Sequence, residues 1–284
     1  LIGKRRSNLF TLFPCKFAKK NDKPLEEIAQ IEALRTKIEA KGILPDSMKQ
    51  KINYRFRLLW NFHSNSMEGN TLTEQETRSV MVGNITIQGK PIKDVIEMRG
   101  HDEVIDKILK IGKGELHISE KRIKEIHQAI MFEEDENQRS KIGKWKTEDN
   151  YIYNSRGERF DFVPFREIPS QMHELINWLN AETETIRNGK KETITAVRLA
   201  WEFHLRYLTI HPFYDGNGRT ARILTNLILI SFGFPPIYIT LKEKANYYSY
   251  LSEIQIYDAP PNLFYSFLNQ SLIRSQTLFL SFLD

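Results

Sequence analysis

The sequence predicts an all-α fold carrying one small β-hairpin. Three observations predict it. Apolar residues recur at three- and four-residue steps along most of the chain, the period of a one-faced helix. Strand-like alternation is clear only on either side of Asn154-Ser155-Arg156-Gly157. No tandem repeat, low-complexity tract or linker rich in Gly, Ser or Pro divides the chain, and 284 residues can bury a substantial core.

The elements follow in order. Residues 1–23 read as a basic tail, with Lys4, Arg5, Arg6, Lys16, Lys19 and Lys20 in its first twenty positions. The apolar run Leu9-Phe10-Thr11-Leu12-Phe13 is too short for a secretory leader and ends at Pro14, so a solvated tail is expected. Leu25, Ile28, Ile31, Leu34 and Ile38 then line one helical face over 24–41, with Pro24 near its start and Gly42 as its stop. A second helix is expected from Asp46 to Asn65, with Met48, Ile52, Phe56, Leu59 and Phe62 or His63 inward. After the turn Glu68-Gly69-Asn70, Thr73-Glu74-Gln75-Glu76 is a capping box opening a helix to Val82. Ile85-Thr86-Ile87 is expected as one arm of a second small hairpin. Further helices are expected at 91–112, 119–132, 168–187, 193–209, 218–232, 242–255 and 261–281. The main hairpin pairs Tyr151-Ile152-Tyr153 with Arg159-Phe160-Asp161-Phe162-Val163.

Composition excludes several functions. The single cysteine, Cys15, allows no intramolecular disulfide and no cysteine-based zinc site. The net charge of +5 is not matched by any helix-turn-helix, zinc or RNP signature, so nucleic acid is not the expected partner. The longest apolar stretch, Ile223 to Ile239, is interrupted by Asn226, Ser231, Gly233, Pro235 and Pro236 and reads as a core helix, not a membrane span. A cytoplasmic location is the expectation. His173-Glu174-Leu175-Ile176-Asn177 fails the zinc-protease pattern at Asn177, and His101, His117, His127 and His204 share no metal-ligand spacing.

The chemistry concentrates in His211-Pro212-Phe213-Tyr214-Asp215-Gly216-Asn217-Gly218-Arg219-Thr220-Ala221-Arg222. A base, an acid, two glycines flanking an amide and two arginines precede an apolar run long enough for a buried helix. A glycine-rich loop feeding a helix N-terminus presents unpaired N–H groups and a favourable dipole to an anion. Two arginines in a first turn oppose the helix's own dipole, a cost that a bound anion offsets. With Asp215 as a ligand for Mg²⁺, the anion reads as a nucleotide polyphosphate. Taken singly, each residue has a bland alternative: a structural histidine, a turn, solvated surface charge.

This string resembles the signature loop of the Fic family, H-P-F-x-[D/E]-G-N-G-R-x-x-R, at every specified position. Ser64-Asn65-Ser66-Met67-Glu68-Gly69 is similar to that family's inhibitory pattern, and Gly143-Lys144-Trp145-Lys146 with the hairpin after it occupies the place of its substrate-positioning flap. The resemblance covers roughly residues 25–270. It implies a Fic-type helical bundle, with an N-terminal helical region at 24–112, a catalytic core at 113–270 and a helix end at 271–284. It also implies AMP transfer from Mg·ATP to a Ser, Thr or Tyr hydroxyl of a target protein. His211 would be the catalytic base and Asp215 the metal ligand. Gly216, Asn217, Gly218, Arg219, Thr220 and Arg222 would bind the phosphates, with Arg219 toward the β- and Arg222 toward the γ-phosphate. Tyr247 and Gln255 would contact adenine or ribose. Ser64, Glu68 and Gly69 would form the inhibitory motif, Glu68 pairing with Arg222. Asn150, Tyr151, Ile152 and Tyr153 would be the flap edge that pairs with a target segment. Self-modification and a homo-oligomer are compatible with this reading. The alternatives are a de-AMPylase or another nucleotidyl or phosphocholine transferase on the same scaffold and, from another class, a non-catalytic interaction or DNA-binding module.

Overall fold

The computed structural model describes residues 23–83, 85–112 and 117–283. The basic tail and Cys15 lie outside the described residues. Eleven α-helices and one two-stranded sheet are found among those described. They are α1 (Lys23–Ala40), α2 (Asp46–Met67), α3 (Glu74–Gly83), α4 (Ile92–Ile111), α5 (Glu120–Ile130) and the single turn α6 (Glu136–Arg139). The hairpin β1 (Tyr151–Tyr153) and β2 (Arg159–Asp161) follows, then α7 (Ile168–Arg187), α8 (Thr195–Ile210), α9 (Asn217–Ser231), α10 (Lys244–Tyr257) and α11 (Asn262–Leu280).

The middle of the molecule is α9, buried at every position from Arg219 to Ser231 and packed against α8. Polar residues inside that apolar run are satisfied. Asn226 donates to the Ile237 carbonyl and accepts from the Ile237 amide, both at 2.8 Å, which secures the chain leaving the helix. The expected capping box forms: the Thr73 amide donates to Glu76 at 2.8 Å and the Glu76 amide to Thr73 Oγ1 at 3.2 Å. Helix α5 passes so close to α4 that a Cβ on Gly100 would run into the Ala129 carbonyl, so glycine is what lets these backbones meet. At the opposite side α11 clasps α1. The buried Glu27 carboxylate accepts from Ser266, Asn269 and Gln270, and Gln276 donates to the Ile31 carbonyl at 3.0 Å.

The hairpin is antiparallel with Ile152 opposite Phe160. Its second strand, ending at Asp161, is shorter than expected; the Phe162 amide still donates to the Asn150 carbonyl at 3.2 Å, and Phe162 and Val163 are buried beyond it. Ile85-Thr86-Ile87 forms no strand. Three residues offer no partner, and Ile87 instead packs on the small cluster of Leu72, Val80, Val95 and Met98. The α6 turn was not expected; Asp135 caps it by accepting from the Gln138 amide at 2.9 Å. No helix among the described residues is long and apolar enough to cross a membrane.

Candidate active site

Helix α8 ends on His211, whose left-handed backbone (φ 53°, ψ 63°) turns the chain abruptly out of the helix. A non-glycine residue held this way is strained, and such strain concentrates at functional sites. The imidazole stacks on Phe162 with ring centres 3.8 Å apart and planes 10° from parallel. Asn150 Nδ2 lies 3.1 Å from its Nδ1. Burial, and after it the nearby charge of Lys146, push the His211 pKa down to about 3, so the ring is neutral at physiological pH.

The loop after His211 is stapled from several directions. Asn217 accepts from the Phe213 amide at 3.0 Å and donates to the Phe213 carbonyl at 2.9 Å, closing the turn on itself. His127, on α5, stacks on Phe213 at 3.7 Å. Its Nδ1 accepts from the Gly143 amide at 3.0 Å, so its proton sits on Nε2, which donates to the Asp215 carbonyl at 2.9 Å. Burial lowers its pKa to about 4. Gly216 then takes φ 74°, where a Cβ would press on Met131 and His127, and α9 begins. The first intrahelical amide bond is from Thr220 to the Gly216 carbonyl, at 3.0 Å. The amides of Asn217, Gly218 and Arg219 therefore precede the ladder, at the positive end of the helix dipole.

His211, Asp215, Asn217 and Gly218 line one side of a cavity of about 500 Å³. Glu68 lines it too, as do Ile152 and Tyr153 of the hairpin and Tyr247, Tyr248 and Gln255 of α10. The expected base and acid, Asn217 and Gly218 of the loop, Ile152 and Tyr153 of the flap, and Tyr247 and Gln255 of α10 thus share one space, whereas Gly216, Arg219, Thr220, Arg222, Asn150 and Tyr151 do not line it. Tyr247 and Gln255 are both nearly fully buried. Tyr247 is held by a relay: the Thr225 hydroxyl donates to the Ala221 carbonyl at 2.7 Å, so His204 Nδ1 donates to Thr225 and Nε2 accepts from the Tyr247 hydroxyl, each at 2.8 Å.

The two arginines part company. Arg222 Nε donates to Ser64 Oγ at 3.0 Å, and Nη2 donates to the Ser64 carbonyl at 3.0 Å and to Glu68 Oε1 at 2.6 Å. Glu68 caps the end of α2, and Gly69 after it takes φ 95°, which lets the chain leave directly. Neither arginine lines the cavity, and Arg219 points away from Glu68 altogether. Its Nη1 donates to Glu97 Oε2 at 2.7 Å and its Nη2 to Met131 Sδ at 2.9 Å, with the arginine and glutamate side chains only 4% and 7% exposed. A three-residue step leaves the two side chains about 60° apart around the helix axis. That is enough to send one between α4 and α5 and the other to α2. Thr220 also faces inward; it is fully buried and its hydroxyl donates to the Gly216 carbonyl at 2.9 Å, so it braces the loop from behind. Asn150 stands at the ring of His211, while Tyr151, Ile152 and Tyr153 are exposed along β1.

Sequence reasoning missed His127 and Glu97 as site-building residues, and placed Lys146 and Phe162 only in the flap segment and its hairpin, not at the His211 ring. None belongs to a local pattern with the loop, and only folding brings them to it.

Comparison with known proteins agrees with this architecture. The Fic/DOC family pattern matches residues 117–229. Protein adenylyltransferase fic-1 of Caenorhabditis elegans is 31% identical over 206 residues, 72% of this chain and 37% of the relative. Protein adenylyltransferase Fic of Nematostella vectensis is 30% identical over 202 residues, 70% of this chain and 44% of the relative. The chain therefore spans less than half the length of these curated relatives. A crystal structure of a Fic domain containing signaling protein from Bacteroides thetaiotaomicron superposes with a TM-score of 0.78 at 30% identity, covering 90% of this chain and 96% of that one. With its matching pattern, its likeness to that domain over nearly its whole length and its loop built as above, the chain belongs to the Fic/DOC family.

Proposed function

We propose that this chain transfers AMP from ATP to a hydroxyl of a target protein, and that Glu68 holds it in check. The observation that carries the reading is the neutral His211 ring, fixed by its left-handed backbone and by Phe162, at the wall of a cavity that also meets the N-terminus of α9. The adenylyltransferase relatives support the reaction class. Residues 24–112 would be the regulatory part and 113–270 the catalytic part.

In this reading His211 takes the proton of the incoming hydroxyl. The hydroxyl oxygen forms a bond to the α-phosphorus, the bond from that phosphorus to the β-bridging oxygen breaks, and pyrophosphate leaves with the electron pair. The amides of Asn217 and Gly218 stabilise the charge on the phosphate oxygens. Tyr247 and Gln255 bound the space for the nucleoside. The exposed edge of β1 pairs with an extended target segment and presents its hydroxyl. Among the described residues no group of three or more His, Cys, Asp or Glu could hold a metal by itself. Mg²⁺ bound through the single carboxylate of Asp215 and phosphate oxygens fits the donor set this ion favours. Bound there, it would neutralise phosphate charge. Arg219, already neutralised by Glu97, is assigned no phosphate. Arg222 would take the γ-phosphate only after Glu68 gives it up.

Label from ATP carrying ³²P at the α-position should appear on the protein itself or on a lysate protein, whereas label at the γ-position should not. His211→Ala should lower the labelling rate by about 100-fold or more, with ATP binding retained in calorimetry. Undiminished labelling by that variant would overturn the reading.

A further inference from the structure

The base of the hairpin holds a buried amine that this chemistry leaves unused. Lys146 is only 2% exposed, and its Nζ lies 2.5 Å from Asn150 Oδ1. Its backbone amide is pinned to the Pro212 carbonyl at 2.8 Å, next to His211. The same Asn150 carboxamide reaches His211 Nδ1 through Nδ2 at 3.1 Å. One side chain therefore bridges an ammonium group and the ring of the base.

The chemistry of the three groups is restrictive. An ammonium only donates, so Asn150 must turn Oδ1 to Lys146 and Nδ2 to His211. His211 Nδ1 then accepts, and the single proton of the neutral ring belongs on Nε2. The other amide at the ring does not decide the matter. Asn217 is fixed by its two bonds to Phe213, and its Nδ2 lies 3.1 Å from Nδ1 and 3.3 Å from Nε2, favouring neither. The ring also hydrogen-bonds the backbone of His211 itself, which favours a proton on Nδ1, and Asn150 Nδ2 lies 3.5 Å from the Phe213 carbonyl, which favours the carboxamide as it stands. While the Asn150 bond to Nδ1 holds, the proton is on Nε2 and the ring offers no lone pair to a hydroxyl.

We propose that Lys146, acting through Asn150, is a positioning residue that decides which nitrogen of His211 carries the proton, and that it holds the base off until it gives up its own proton. The inference rests on His211 being the base. Once Lys146 loses a proton to solvent, its Nζ lone pair can accept. The Asn150 carboxamide turns over, Nδ2 donating to Nζ and Oδ1 accepting from His211 Nδ1–H. The ring exchanges its Nε2 proton for one on Nδ1 with no net change, and Nε2 is left with a lone pair. When Nε2 takes the hydroxyl proton, Asn150 Oδ1 keeps the Nδ1–H of the resulting imidazolium in place.

The change falls near physiological pH. Burial pushes the Lys146 pKa down to about 8, against the opposing pull of Asp149 beside it. Its other neighbours are the neutral His211 and the face of Phe162, 5.7 Å from Nζ. His211, held at about 3, cannot itself produce a transition near pH 8.

The test measures AMP transfer in a Glu68→Gly background between about pH 6 and about pH 10. With Lys146 present, the rate should rise roughly tenfold per pH unit and level off above its pKa. Lys146→Arg, permanently charged, should stay low throughout. Lys146→Met, with no charge to hold the carboxamide, should stay high throughout. A direct readout needs no substitution at Lys146: ¹⁵N resonances of the His211 ring in the full chain should show Nε2–H at low pH and Nδ1–H at high pH. Coincident pH profiles for the three proteins, or one His211 tautomer across the whole range, would overturn the proposal. Transfer that survives His211→Ala would sink the base assignment instead.

Discussion

Glu97 of α4 accepts from Arg219 Nη1 at 2.7 Å, and its other oxygen accepts from the Phe132 amide at 3.2 Å. One carboxylate therefore ties the first turn of α9 to α4 and to the end of α5. Because the pair is buried, removing one partner leaves an uncompensated charge. Glu97→Ala should lose on the order of 3–5 kcal/mol, read as a fall of roughly 10 °C in Tm by calorimetry. An unchanged Tm would mean that Arg219 finds another partner.

The Arg222–Glu68 contact makes a prediction about activity. A Cβ on Gly218 would collide with Glu68 Oε1, which shows how closely this carboxylate lies over the loop. Glu68→Gly should raise self-labelling by α-labelled ATP about tenfold or more, equivalent to about 1.4 kcal/mol or more of restraint released. Equal labelling of the two proteins would remove the inhibitory role from Glu68.

Gly100→Ala tests the contact between α4 and α5. The added methyl meets a backbone carbonyl and not a flexible side chain, so the helices must separate. A loss of about 3 kcal/mol is expected, seen as a lower urea midpoint at unchanged slope. A stabilised protein, the usual result of Gly→Ala in an open helix, would show that the helices are not in contact there.

The buried histidines predict acid sensitivity. Burial holds His204 and His211 at about 3 and His127 at about 4, and lowers His101 as well. In the unfolded chain each titrates near 6.5, so below that value the unfolded state binds more protons than the folded one. Stability from these groups is complete above about pH 6.5 and falls as pH drops toward 3, by roughly 1.4 kcal/mol per pH unit for each histidine. Urea titrations at about pH 7 and about pH 5 should differ in that direction. Equal stabilities would show that the rings charge in place.

Much of this was legible in order along the chain. Helical period marks α1, α2, α7, α10 and α11 because each buries one stripe, while α8 and α9 are marked by apolar runs because they are buried on nearly every face. The loop at 211–222 was legible because base, acid and amides sit together in sequence. What escaped is what tertiary packing decides. Spacing alone made Arg219 and Arg222 equivalent, and only the positions of Glu97 and Glu68 on separate helices distinguish them. His127 looked like any core or surface histidine, since its partners Gly143, Phe213 and Asp215 lie 16 to 88 residues away. Lys146 was legible as part of the flap, but not as a buried amine beside His211, because a charged residue is rarely buried. Ile85 to Ile87 misled because alternation needs a partner strand to become a sheet.

The clasp between α1 and α11 has a consequence for how the protein is made. Glu27 waits for Ser266, Asn269 and Gln270, and Ile31 for Gln276, across about 240 residues of chain. During synthesis α1 leaves the ribosome about 240 residues before the helix that covers it. Over that interval its apolar stripe, Ile31 included, has no native cover. Helix α1 therefore docks only after α11 has emerged, and until then it is a surface open to aggregation or chaperone capture.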